Sequence, residues 1–289
     1  MENQNYRALR IGIDHGVASV TIDNGPINLL DATLIADLDR AGRELEADRD
    51  VKVVVLQSAN PDFFIAHVDV TLMQQIPAAP LPRDGTLAMF RGMVDRFRTM
   101  PKATIAKIEG RCRGGGSELA LACDMRFAAL GKAVLGQPEV GVGLIPGGGA
   151  TVRLPRLVGR GRALEIILGC GDLRADVAER YGYVNRALPA EEITYFVTSL
   201  AQRIATFPAG TIAVAKQTVG MADAGIDDDL ALEEALFLQS LHTDAAKRRM
   251  AAAMAAGMQS PVLEKCCFDH IWGPLAGSEA GSVQAEAQA

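Results

Sequence analysis

The stretch Ala103-Thr104-Ile105-Ala106-Lys107-Ile108-Glu109-Gly110, followed by Gly114-Gly115-Gly116-Ser117-Glu118-Leu119-Ala120-Leu121-Ala122 and then Cys123-Asp124, decides the fold. Thr104 to Ile108 is largely apolar, the pattern of a strand covered on both faces. The glycine triplet ends it, and the apolar run Leu119 to Cys123 then reads as a helix opened by the glycines. Strand, glycine turn and buried helix in so short a span argue for an α/β layered fold.

The same alternation extends outward. Leu9, Ile11 and Ile13, then Ala18, Val20 and Ile22, alternate on either side of Asp14-His15-Gly16, predicting a β-hairpin. Leu34, Leu38, Ala41 and Leu45 recur at helical spacing behind Asp31, a plausible N-cap, so a helix is expected to about Ala47. Val51 to Leu56 is a stronger version of the buried strand. Helical patterns dominate from Glu191 on, at Tyr195–Phe207, Ala209–Met221, Leu230–Leu241 and Thr243–Met258. The expected division is an α/β core over 1–205, a helical region over 206–273 and a flexible tail over 274–289, small and polar without periodicity.

Composition narrows the function. The 289 residues are 49% hydrophobic, enough for a full core, and 29 of them are glycine, above the usual roughly 7%. A formal net charge of -6 gives no diffuse positive field, so neither nucleic acid nor an anionic membrane is an expected partner. No apolar leader marks the first residues and no long apolar run follows, so a cytoplasmic location is expected. The five cysteines are odd in number and dispersed, and are expected as reduced thiols. The four histidines form no pair at ligand spacing, so no metal site is expected.

Two glycine triplets, Gly114-Gly115-Gly116 and Gly147-Gly148-Gly149, each precede a helical pattern. Uncovered amides at a helix N-terminus favour an anion or oxyanion, although such glycines also simply permit close packing. Neither triplet continues as a phosphate loop, and Pro146 occupies a position where a dinucleotide fingerprint needs glycine. Glu118 and Glu139 are both set among apolar and small residues. Carboxylates desolvated near each other push their pKa values apart and supply one acid and one base, whereas apart they would be a helix-end charge and a loop ion pair.

These residues in this order resemble the crotonase, or enoyl-CoA hydratase/isomerase, superfamily, with further matches at Gly25-Pro26-Ile27-Asn28, Phe64-Ile65-Ala66-His67-Val68-Asp69, Gly136-Gln137-Pro138-Glu139, Pro146-Gly147-Gly148-Gly149 and Arg153-Leu154-Pro155-Arg156-Leu157-Val158-Gly159. The resemblance covers roughly residues 8 to 220. It implies a crotonase-like spiral of ββα repeats with a C-terminal helical trimerisation region, a homo-trimer or homo-hexamer, and an acyl-CoA substrate with no cofactor beyond the coenzyme A it carries. It also implies an oxyanion hole formed by the backbone N–H groups of Val68 and Gly115, since enolate charge develops on the thioester oxygen. Glu118 and Glu139 match the acid/base pair that adds water across an α,β double bond; Ala66, His67, Asp69, Gly114, Gly116, Pro138 and Gly147 are the implied substrate-binding positions.

The expected activity is therefore that of an enoyl-CoA hydratase-like lyase. An isomerase or C–C hydrolase on the same fold is the alternative, and an RNA-binding relative is a more distant one, with Lys247-Arg248-Arg249 its only compact basic run. His67 replaces the family's usual glycine, so its ring either packs against a neighbouring loop or lines the acyl pocket. Ser117 departs from the common cysteine, one extra residue precedes Gly136, and the basic phenylalanine-containing motif frequent near the C-terminus is not recognisable between Met250 and Trp272. The proline-rich Gln74–Gly85 segment is the region expected to shape the acyl pocket.

Overall fold

The computed structural model of the chain describes residues 6–77, 85–266 and 268–271. The expected tail lies outside the described residues, as do positions 78–84 of the proline-rich segment. The hairpin forms from β1 (Leu9–Asp14) and β2 (Val17–Ile22), joined by His15 and Gly16 at φ 47° and 81°. Two left-handed residues match the right-handed twist of the paired strands. Asp31 caps the helix Ala32–Ala47 by accepting from Leu34 N–H at 2.8 Å.

The remaining strands are β3 (Val53–Ser58), β4 (Phe63–Ile65), β5 (Ala103–Ile108), β6 (Arg111–Arg113), β7 (Met125–Ala129), β8 (Val134–Gly136), β9 (Leu173–Arg174) and β10 (Arg186–Leu188). They build two sheets, one ordered β1-β2-β3-β5-β7-β10 and a smaller one ordered β4-β6-β8-β9. The chain winds as a spiral: β3, β5 and β7 each enter the large sheet, and β4, β6 and β8 follow them into the small one before the chain turns helical. All of β5 is buried, as its composition predicts. Its one charged residue, Lys107, is satisfied by Glu109 at 2.7 Å and the Thr194 hydroxyl at 2.9 Å. The Cys123-Asp124 motif is a staple: the Asp124 carboxylate accepts from Thr104 N–H at 2.8 Å and pairs with Lys216 at 3.0 Å.

Helix Ile193–Ala205 covers one face of the large sheet, with Ile193, Val197 and Ala201 packed on Val53, Val55, Ile105 and Phe127. The main core lies on the other face, and Phe237, Leu241, Met250 and Phe268 from the C-terminal helices belong to it. The last strand ends at Leu188, and the chain is helical on both sides of residue 205. Among the described residues no helix is long and apolar enough to cross a membrane.

The small sheet positions the site. β4, β6 and β8 run parallel, with Ile65 opposite Cys112 and Arg113 opposite Gly136. The segments that leave their C-terminal ends, 66–69, 114–117 and 137–139, therefore emerge side by side, and Gly114 N–H donates to Gly136 C=O at 3.0 Å.

Candidate active site

Those three segments form one wall of a cavity lined by His67, Val68, Gly115, Glu118, Pro138, Glu139 and Gly147. Apart from Thr86 the rest of its lining is apolar and includes Leu72, Met73, Ile76, Leu87, Phe90, Phe237, Met250 and Met258. Both glutamates thus face one chamber, although they lie on different helices, Gly115–Ala122 and the 3-10 turn Glu139–Val142.

Glu118 sits in the first turn of a helix whose every residue is buried. Its Oε1 accepts from Gly148 N–H at 2.6 Å and Ala150 N–H at 3.2 Å, so the second glycine triplet serves as a cradle for the first triplet's carboxylate. The triplet must be glycine to come so near: a Cβ on Gly148 would lie 2.6 Å from Glu118 Oε2. Burial, and then the charge of Glu233, push the Glu118 carboxyl up to about 7, against the lowering pull of the two amides and Arg153. Glu139 is also held well above its ordinary range, by burial first and Glu118 second. Gln137 satisfies both neighbours when its amide nitrogen faces Glu139 Oε2 at 3.1 Å and its oxygen takes the Ser117 hydroxyl at 3.2 Å. Two carboxylates on one chamber, both held above the ordinary range, can hold one proton between them near neutrality.

Val68 and Gly115 pack directly against each other on the chamber wall, with the space a Gly115 Cβ would need already taken by Val68 Cγ2. Neither N–H has an acceptor among the described residues. Val68 bridges Leu30 in parallel, an arrangement in which His67 C=O and Asp69 N–H make the bonds and the Val68 amide points away. Gly115 is the first residue of its helix, where N–H groups have no partner within the helix. Two free donors and two carboxylates on one largely apolar chamber suit a substrate whose oxygen gains negative charge.

The other expected contact residues divide. Pro138, Gly147 and His67 line the cavity, whereas Ala66, Asp69, Gly114 and Gly116 are absent from its lining and brace it instead. Ala66 packs in a small apolar cluster with Ile27 and Phe63. Asp69 caps the helix Val70–Gln74 by accepting from Thr71 N–H at 2.9 Å. Gly116 lets the helix approach Ile65, whose Cβ would be 2.5 Å from an added Cβ. Gly114, at φ 50°, leaves room for Glu139 Oε1, which an added Cβ would meet at 2.8 Å. His67 is 4% exposed and held on both edges: Nε2 lies 2.9 Å from Glu264 Oε1 and Nδ1 2.7 Å from Val68 C=O.

Sequence reasoning missed Glu233. It is 4% exposed, accepts from Thr151 N–H at 2.9 Å and from the Thr151 hydroxyl, and so shares with Glu118 the N-terminus of helix Ala150–Val158. Its neighbours Asp227, Asp228, Asp229 and Glu234 make it look like one more solvated charge, and no local signal sets it apart.

A parallel-sheet spiral that sets a buried and a half-buried carboxylate on one chamber with two unpaired amides places the protein in the crotonase fold class. The sequence profile of the enoyl-CoA hydratase/isomerase family matches residues 12–260, and the chain belongs to that family. It is similar to the short-chain-enoyl-CoA hydratase of Clostridium acetobutylicum, 33% identical over 82% of this chain and 90% of that one. It is likewise similar to a probable enoyl-CoA hydratase of Rhizobium meliloti, 33% identical over 86% and 96%. Among solved structures, a Streptomyces avermitilis member of the family superposes with a TM-score of 0.85 at 36% identity, covering 94% of this chain and 99% of that one. An enoyl-CoA hydratase from Mycobacterium avium subsp. paratuberculosis superposes at 0.77 with 26% identity, over 86% and 100%.

Proposed function

We propose that the protein is a hydro-lyase that adds water across the α,β double bond of an enoyl-CoA thioester. The observation that carries this reading is the placement of Glu118 and Glu139 on one apolar chamber that also presents the free N–H groups of Val68 and Gly115. The apolar lining suits an acyl chain, and the two amides suit the thioester oxygen.

In this reading the ionised member of the pair, Glu118, takes a proton from water as the water oxygen bonds to the β carbon. The electron pair of the double bond moves to the thioester oxygen, where the two N–H groups hold the enolate. As the enolate collapses, protonated Glu139 delivers its proton to the α carbon, and exchange with the next water resets the pair. Burial first, and the charge of Glu118 second, keep Glu139 protonated while Glu118 ionises. The reaction consumes one water and needs no group beyond the coenzyme A that the substrate brings.

Incubation with crotonyl-CoA tests it. The expected result is loss of the conjugated thioester absorbance with formation of a 3-hydroxyacyl-CoA. Absorbance that persists would overturn this reading, and loss of absorbance with a product whose double bond has only migrated would exchange it for the isomerase.

A further inference from the structure

The two free amides are carried by separate segments, the loop at Val68 and the helix start at Gly115, and one buried carboxylate joins the residues that lead into them. We propose that residues 259–264 form a clasp in which Gln259 and Glu264 are positioning residues that set the Val68 and Gly115 donors against the thioester; this rests on the function proposed above.

Glu264 is fully buried, and its Oε1 meets His67 Nε2 at 2.9 Å, next to Val68. Its other oxygen and its backbone C=O take Arg113 Nη1 at 3.3 and 3.1 Å, two residues before Gly115. Arg113 is itself anchored by Asp172 through two bonds of 2.7 and 2.6 Å. Gln259 adds a second grip on the Val68 loop: its Oε1 accepts from Val70 N–H at 2.8 Å, and its Nε2 donates to Asp69 Oδ1 at 3.1 Å. Its backbone N–H donates to the same Glu264 Oε1 at 2.9 Å.

Two features separate this clasp from ordinary packing. Gln259 holds φ at 72°, a left-handed conformation that costs a non-glycine residue energy and persists where surrounding bonds determine it. A buried charge pair is expensive to desolvate and is often replaceable by apolar packing, so its gain lies in fixing geometry more than in stability. A 1 Å displacement of an oxyanion donor is enough to lose much of its effect.

The variants Gln259→Gly and Glu264→Gln test the clasp. Glycine accepts the left-handed backbone, so the first removes both side-chain bonds without disfavouring the fold. The readouts are steady-state hydration of crotonyl-CoA and the infrared carbonyl stretch of bound butyryl-CoA labelled with carbon-13 at the thioester carbon. In the wild-type protein the stretch moves to lower frequency on binding. In the variants most of that shift is lost and kcat falls about tenfold or more, while KM changes by no more than about threefold. Wild-type shift and kcat in both folded variants would overturn the clasp alone. A wild-type protein that hydrates crotonyl-CoA without any carbonyl shift would overturn the role given to the two amides, and the clasp with it.

Discussion

At the scale of single residues, the proposed mechanism turns on how strongly the protein disfavours the charged form of Glu118. Replacement of Glu118 or Glu139 by glutamine should each lower hydration turnover by about 10²- to 10⁴-fold with folding retained, as general acid/base groups typically contribute. The titration adds a stability signature. Glu118 rises from an ordinary 4.5 to about 7, so the folded state binds the proton that the unfolded chain releases in between. The associated stability is present below about 4.5 and is lost as pH climbs through 7. Thermal melts at pH 5.5 and 8 should show a smaller drop for Glu118→Gln than for the wild-type protein. Glu233→Gln isolates the third carboxylate. Glu118 faces Glu233, Glu139, Arg153 and Arg91, and removing the Glu233 charge takes away one that opposes its ionisation. The acidic limb of the kcat/KM profile should therefore move to lower pH; an unmoved limb with reduced activity would assign Glu233 a purely structural role. In the sequence Glu118 and Glu139 stand out as carboxylates among apolar and small residues, but that pattern leaves a helix-end charge and a loop ion pair open, and only the family resemblance pairs them. Glu233 does not stand out, since it lies in an acidic stretch and only tertiary burial distinguishes it.

At the scale of elements, the glycine triplets have different tasks. The first opens the Glu118 helix, and the second supplies the amides that hold Glu118, with Gly149 at φ 108° turning the chain into helix Ala150–Val158. Gly148→Ala would place a Cβ 2.6 Å from Glu118 Oε2 and 2.8 Å from Phe90 Cε1, and both neighbours are buried. It should lower stability by about 1–3 kcal/mol, as overpacking does, and cut kcat sharply by displacing the carboxylate. Gly161→Ala is the matched control: it meets nothing within 4 Å and lies in helix Arg160–Gly169, so it should leave activity unchanged and gain up to about 1 kcal/mol in a chemical melt. Both helix openings were legible from glycine placement and apolar spacing, as were the hairpin and β3. The small sheet was not. β4, β6 and β8 have three residues each, too short to display a two-residue period, and their pairing comes from the winding of the chain.

At the scale of the whole molecule, the C-terminal helices have two apolar faces. Phe237, Leu241 and Met250 face inward, and Phe237 and Met250 line the cavity. Leu241, at the end of the same helix as Phe237, is 3% exposed and belongs to the subunit's own core, because its position turns with Phe237 toward the spiral. Leu232 and Leu236, one helical turn apart, remain 59% and 46% exposed, and Val219 and Met221 nearby in sequence are 76% and 74% exposed. Periodicity could show that these helices were amphipathic, but sorting the apolar positions between core and surface required the packed structure. Large apolar side chains left in water at helical spacing are what an interface between like subunits would cover. The expected state is a trimer or a trimer pair, and light scattering at micromolar concentration should give about three or six times the 30.6 kDa chain mass. A double change, Leu232→Glu with Leu236→Glu, should lower that mass toward the single chain, since charges buried without partners oppose association. Both positions are exposed in the subunit, so its melting at low concentration should change little. A wild-type protein that scatters as a 30.6 kDa particle would leave those leucines without the role argued here.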